Sequence, residues 1–108
     1  KLEQMIQRLD FSERAVLREF ILQRKSVIKL PITEPAVKNL LEAGVLTYAY
    51  GQPMYEDDTL IKALMVSLPA RPYITYRALG ISKGKMSEEQ IEQIMSSRPK
   101  FASKSANR

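Results

Sequence analysis

The stretch that decides the fold runs from Asp10 to Tyr50 and reads DFSERAVLREFILQRKSVIKLPITEPAVKNLLEAGVLTYAY. Its pattern predicts helix, short strand, helix and strand in that order, with a cap or stop residue at nearly every boundary. Two helices that are joined through a strand and followed by another strand can bury one small core together. The stretch therefore predicts an α+β domain.

The first long helix of this stretch has the clearest signals. Asp10 is a good N-cap, and Glu13 three residues later completes a capping box. Apolar residues at helical spacing then predict a helix over residues 11–24 with one buried face. The spacing turns three basic side chains outward, namely Arg14, Arg18 and Arg24.

The next three elements are shorter. Residues 26–30 alternate weakly and contain β-branched side chains, which predicts a strand that Pro31 ends. Thr33 can cap a second helix, which is expected to have Pro35 in its first turn and to end at Gly44. Residues 45–50, rich in β-branched and aromatic side chains, predict a second strand.

The rest of the chain gives weaker signals. Residues 51–58 predict an exposed loop, and 59–68 fit helix or strand; we favour a strand from about Lys62 that pairs with 45–50. A short helix is expected over residues 73–79. Ser87, with Gln90 three residues later, caps a last helix that ends near Ser96.

The element order predicts a winged-helix-like domain over residues 1–97, with helices packed on a small antiparallel sheet and an extra C-terminal helix. The strand 26–30 is expected to add to the edge of the β-hairpin, because an isolated strand leaves its backbone groups unpaired. An unrelated small α+β domain with the same elements is the alternative. Residues 98–108 predict a basic, disordered tail.

The formal net charge of +5 is concentrated in that tail. Residues 98–108 carry four basic groups and no acid, whereas residues 1–97 carry 13 basic and 12 acidic groups. The folded part is therefore nearly neutral. Weak contact of the tail with a membrane surface or nucleic acid is the functional interpretation, and a solvated terminus is the simpler one.

Composition excludes several kinds of chemistry. The chain has no cysteine and no histidine, which removes thiolate ligands, Cys and Ser-His catalysis and most zinc sites. The adjacent acids Glu56, Asp57 and Asp58 lack the spacing of a calcium loop. We predict no catalytic residue, no metal site and no cofactor. No stretch is apolar for long enough to span a membrane.

A DNA-binding use of the second helix is a further hypothesis. Lys38 and Asn39 are suited to contact base edges, supported by Arg14 and Arg18 on the preceding helix. The exposed face of the second helix is nevertheless net negative, which opposes phosphate binding. DNA is therefore a disfavoured partner.

Aromatic and acidic residues cluster near the predicted hairpin. Tyr48 and Tyr50 share a face if 45–50 is a strand, and Tyr55 lies beside the acidic run. Such a surface suits a protein partner or stacked bases, and core packing of the tyrosines is the alternative. The predicted partner-binding residues are Tyr48, Tyr50, Tyr55, Glu56, Asp57 and Asp58.

A family resemblance adds to this interpretation. The run LDFSERAVLREFILQRKSVIKLPITEPAVKNLLEAGV, from Leu9 to Val45, resembles the cytoplasmic region of superinfection-exclusion protein B and its relatives, which are prophage-type bacterial membrane proteins. The resemblance implies a role in stopping the development of a second infecting phage, without catalytic residues. It also implies a cytoplasmic domain tethered to the inner membrane by helices outside this chain. The loop 51–59 and the segment after Gly80 depart from the family pattern.

Together these observations predict a non-enzymatic interaction domain of a superinfection-exclusion-type membrane protein that acts through contacts with an unidentified protein. A winged-helix transcriptional regulator is the alternative. Salt-dependent binding of DNA by the folded part would favour the regulator.

Overall fold

Four α-helices and one antiparallel sheet make up the computed structural model, which describes residues 1–82 and 84–102. The helices are α1 (Leu2–Gln7), α2 (Phe11–Leu22), α3 (Pro35–Glu42) and α4 (Glu88–Ser96). The strands are β1 (Val27–Pro31), β2 (Leu46–Tyr48), β3 (Met54–Glu56) and β4 (Thr59–Val66). A 3-10 helix follows at Arg71–Tyr73. The predicted α+β class is confirmed.

Both predicted capping boxes are present. The Asp10 carboxylate accepts a hydrogen bond from the backbone N–H of Glu13 at 2.7 Å, and the Glu13 carboxylate accepts one from the N–H of Asp10. Ser87 and Gln90 make the same reciprocal pair at the start of α4. Each box satisfies backbone donors that a helix leaves unpaired at its first turn, so both helices begin at the predicted residues.

The long strand β4 organises the sheet. β1 pairs antiparallel with it on one side, with Ile28 opposite Leu64. β2 pairs with the end of β4 on the other side, with Thr47 opposite Met65. The strand interpretation of residues 59–68 and the addition of β1 to the hairpin edge are therefore confirmed. The winged-helix subtype stays a prediction.

The loop predicted for residues 51–58 contains a strand. β3 pairs with the beginning of β4, where Tyr55 lies opposite Leu60 and Glu56 opposite Thr59. Asp57 and Asp58 form the two-residue turn with φ of 51° and 66°. Two-residue hairpin turns of type I′ require positive φ at both central residues, and aspartate tolerates this conformation better than most residues. The acidic run is thus a hairpin turn and not a long loop.

The helix predicted for residues 73–79 is wrong. Helical structure stops at Tyr73, and the Thr75 hydroxyl accepts a hydrogen bond from the backbone N–H of Ala78 at 3.1 Å. The Thr75 carbonyl also accepts a hydrogen bond from the N–H of Leu79 at 3.1 Å, so Thr75 caps a single turn, which ends at Gly80 with a φ of 74°. Leu79 and Ile81 are nevertheless buried, so the segment is anchored to the core without a helix.

The core lies between the helices and one face of the sheet. The largest fully buried apolar side chains come from α2, β1, α3, β2 and β4 and from the segment after the 3-10 helix. They are Val16, Leu17, Leu30, Val37, Leu40, Val45, Leu46, Leu64 and Leu79. Burying each one contributes about 1.5–3 kcal/mol. Ile94 of α4 joins this cluster, so the C-terminal helix packs on the same core.

The C-terminal segment also packs beyond the predicted end of the domain at residue 97. Arg98 pairs with Glu19 of α2, and Ala102 is buried. Residues 103–108, which include the tail residues Lys104 and Arg108, lie outside the described part of the chain. Any contact of those residues with a membrane or with nucleic acid stays a prediction.

Candidate interaction surface

Three tyrosines project from the edge of the sheet formed by β2 and β3. Tyr48, Tyr50 and Tyr55 are 54%, 103% and 72% exposed. The alternative that these side chains pack in the core is wrong. We call Tyr48, Tyr50, Tyr55 and the adjoining acids Glu56, Asp57 and Asp58 the tyrosine edge.

The strands place two of the tyrosines on one face. Tyr48 lies opposite Leu64 and Tyr55 opposite Leu60, and residues an even number apart on β4 share a face. Between them on β4, the Lys62 Nζ lies 4.9 Å from the centre of the Tyr48 ring, a cation–π contact. The Lys62 ammonium therefore lies over the Tyr48 ring on this face of the sheet.

Tyr50 is placed differently from the prediction. β2 ends at Tyr48, so Tyr50 lies in the bend that follows and does not share a strand face with it. Gly51 has a φ of 152°, and a Cβ there would lie 3.1 Å from the Cβ of Ala63. The bend therefore lies close against β4, which only glycine permits, and leaves the Tyr50 ring in solvent.

The acids of the tyrosine edge occupy the β3–β4 turn. Asp57 and Asp58 are exposed at the turn, and Glu56 is half-buried beside it. Aromatic area next to exposed charge is typical of protein interaction sites, where tyrosine supplies contact area and charge directs approach.

The residues proposed for DNA contact are partly engaged within the fold. Lys38 and Asn39 are exposed on α3, but the Asn39 Nδ2 donates a hydrogen bond to the Glu13 carboxylate at 3.3 Å. That carboxylate also closes the capping box of α2. Asn39 thus connects two helices, and its use in base contact would break this connection.

The prediction that Arg18 faces solvent is wrong. Arg18 is 8% exposed, its Nε donates to the backbone carbonyl of Arg14, and its guanidinium lies 5.9 Å from the centre of the Phe11 ring. Burial lowers the pKa of Arg18, and the neighbouring charge of Arg14 adds to that effect. A groove of 550 Å³ between α2 and α4 contains Arg18, with Ile94 and Ser97 on its other wall.

The main polar contact missed by sequence reasoning joins helix α2 to the segment that follows α4. The Glu19 carboxylate is fully buried and accepts two hydrogen bonds from the guanidinium of Arg98, at 2.7 and 2.9 Å. Gln23 donates a third. These bonds raise the pKa of Arg98. One signal was available, since Glu19 stands on the apolar face of α2 between buried residues.

Neither a cluster of acids suited to a metal ion nor a membrane-spanning helix is found among the described residues. Across residues 1–82 and 84–102, no three acidic side chains meet closely enough to hold a metal ion. Within the same ranges, no helix has the length and apolar character that crossing a bilayer requires.

Comparison with known proteins identifies the family. No curated protein and no solved structure matches the chain. A family model described as super-infection exclusion protein B matches residues 1–78, which span α1 through the 3-10 helix and include the tyrosine edge. The match supports a role in superinfection exclusion. Because it covers well over half of the sequence, the chain belongs to the super-infection exclusion protein B family.

Proposed function

We propose that this chain is a non-enzymatic cytoplasmic interaction domain of a superinfection-exclusion-type membrane protein, and that it blocks development of a second phage by binding a protein. The exposure of the three tyrosines at one sheet edge carries this proposal. The family supplies the biological role. The cytoplasmic position and the membrane tether come from the resemblance of residues 9–45.

The tyrosine edge suits a protein partner for energetic reasons. Tyrosine buries a large apolar area at low entropic cost, and its hydroxyl tolerates both water and a partner's polar groups. Three such side chains along one sheet edge can provide the central contacts of a small interface, where a few residues supply most of the affinity.

The charge of the turn indicates the kind of partner. Asp57 and Asp58 are exposed beside Tyr55. Complementary potentials steer encounter and disfavour wrong partners, so a partner surface with lysine or arginine around an apolar centre fits best. The same carboxylates repel phosphate, which makes stacking of nucleic-acid bases on these tyrosines the weaker use.

The test replaces Tyr50 and Tyr55 by serine in the protein as it occurs in the cell. We expect loss of exclusion, measured as recovery of plaque formation by a superinfecting phage. The matched control is Tyr76→Ser, because Tyr76 is an exposed tyrosine that lies outside the tyrosine edge. Equal protein levels and equal unfolding curves would show that the variants fold.

Two results would contradict the proposal. One is full exclusion by the double variant. The other is loss of exclusion by Lys38→Glu together with salt-dependent DNA binding by the unchanged chain, which would favour the regulator.

A further inference from the structure

A groove of 580 Å³ lies between helices α1 and α2 and the segment that follows the 3-10 helix. Its polar lining consists of two arginines, one carboxylate, one amide and two hydroxyls, namely Arg14, Arg77, Glu3, Gln7, Tyr73 and Thr75. It lies away from the tyrosine edge, and none of the partner-binding residues proposed above lines it.

Arg14 is the unusual residue of this groove. Its Nε is buried, and no group in residues 1–82 or 84–102 accepts a hydrogen bond from it. Buried donors are nearly always paired in folded proteins, so the unpaired Nε is an exception, and the other guanidinium nitrogens of an arginine that lines a groove can donate to a bound acceptor.

The charges around Arg14 favour an anionic acceptor. Arg77 lines the same groove, and Arg18 is close enough to Arg14 for the two charges to interact. Glu3 is the acid of the lining, and among the described residues no salt bridge joins it to either arginine of the groove. The groove therefore keeps a net positive charge.

The hydroxyls add donors. The Thr75 Oγ1 accepts the N–H of Ala78, which leaves its hydrogen to be donated elsewhere. Tyr73 supplies a second hydroxyl from the end of the 3-10 helix. Several donors along one groove suit an oxyanion with three or more acceptor oxygens, and arginine binds such oxygens in pairs.

We infer that this groove is a binding site for a phosphate group, with Arg14 and Arg77 as its cationic ligands and Thr75 and Tyr73 as hydroxyl donors. The groove is larger than a bare phosphate needs, so the group is expected to belong to a larger molecule. A soluble phosphorylated metabolite and a phosphomonoester lipid headgroup present the same chemistry.

In the first experiment, inorganic phosphate is titrated into the protein at constant ionic strength. Binding is monitored through the chemical shifts of the backbone amides. We expect saturable shifts in α1, α2 and residues 72–78. Arg14→Gln and Arg77→Gln should each weaken binding by about tenfold or more, the usual scale for loss of a charge-assisted hydrogen bond. Arg71→Gln is the matched control, since Arg71 is exposed nearby and lies outside the groove lining.

The second experiment separates the two sources. Flotation with vesicles that contain phosphatidic acid is compared with flotation with pure phosphatidylcholine vesicles. Binding to phosphatidic acid that Arg14→Gln abolishes and Arg71→Gln preserves would assign the site to a lipid headgroup. Phosphate binding without vesicle binding would assign it to a soluble ligand.

The inference is overturned if neither phosphate nor phosphatidic acid binds, or if both groove variants bind as the unchanged chain does. Equal losses in Arg71→Gln and in the groove variants would also overturn it, because they would show attraction by overall charge. Arg77 is exposed, so Arg77→Gln keeps the test decisive even if Arg14→Gln unfolds the chain.

Discussion

Arg98 and Arg14 occupy contrasting environments against the same helix. The guanidinium of Arg98 reaches α2 from 79 residues away and pairs with the fully buried Glu19 through two hydrogen bonds. The side chain of Arg14 belongs to α2 itself, and its buried Nε has no partner in the described ranges. Arg98 therefore neutralises a buried carboxylate, whereas Arg14 has a donor nitrogen without an acceptor among the described residues.

The comparison of Arg98 with Arg14 distinguishes a charge that stabilises the fold from a charge that is proposed to bind a ligand. A buried carboxylate needs a cation and further donors, and Glu19 has Arg98 and Gln23. Within residues 1–82 and 84–102 no carboxylate forms a salt bridge with Arg14, so no buried acid loses its cation when Arg14 is replaced. Removing each arginine should therefore have different effects on stability and on binding.

The largest effect is expected from Arg98→Met. The substitution leaves the Glu19 carboxylate buried without its cation, and breaking a buried ion pair from one side costs about 3–5 kcal/mol. Because Arg98 is 23% exposed, water can partly replace it, so we expect the lower end, about 3 kcal/mol. Urea unfolding followed by circular dichroism measures the loss.

The matched control removes both charges, in Glu19→Met together with Arg98→Met. Replacing a whole buried pair by apolar side chains is often neutral, so the double variant should recover most of the lost stability. A double variant as unstable as Arg98→Met would show that packing of residues 98–102, and not the charge of Glu19, explains the loss.

A smaller effect on stability is expected from Arg14→Met. It removes an unpaired buried donor and keeps the apolar stem, so the free energy of unfolding should change by less than about 1 kcal/mol in phosphate-free buffer. Added phosphate should stabilise the unchanged chain and not the variant. A loss as large as that of Arg98→Met would instead assign Arg14 a structural role.

The sequence predicted the elements whose signals are local. The capping boxes at Asp10 and Ser87, and the helix end at Gly44, depend on residues within one or two turns of each other. Such signals can be recognised from the sequence pattern alone. β3 was missed because it has only three residues, and the turn at Asp57 and Asp58 uses a conformation that aspartate adopts less often than glycine.

Local sequence patterns could not predict the polar contacts between residues that are distant in the sequence. The burial of Arg18 depends on the groove between α2 and α4, and Glu19 depends on a residue near the other end of the chain. The spacing of residues on α2 alone led to the prediction that Arg18 faces solvent, because basic residues are usually exposed. The tyrosine edge was predictable because its residues are close together in sequence, although β3 fixes where Tyr55 lies.

The smallest effect concerns Arg24, the third basic residue predicted to face outward from this helix. Arg24 is exposed, with a φ of 55°, just after α2; the Lys25 N–H bonds to the Phe20 carbonyl and the Arg24 N–H to the Ile21 carbonyl. This pattern normally has glycine at the position of Arg24, as α3 has Gly44.

Arg24→Gly should therefore stabilise the chain by about 0.5–1 kcal/mol. Gly44→Ala should destabilise it by a similar amount, because nothing lies near the added Cβ and only the backbone is strained. Urea unfolding of both variants measures these changes. Destabilisation by Arg24→Gly would show that the Arg24 side chain contributes a contact, and would place it with Arg98 in the comparison of arginines.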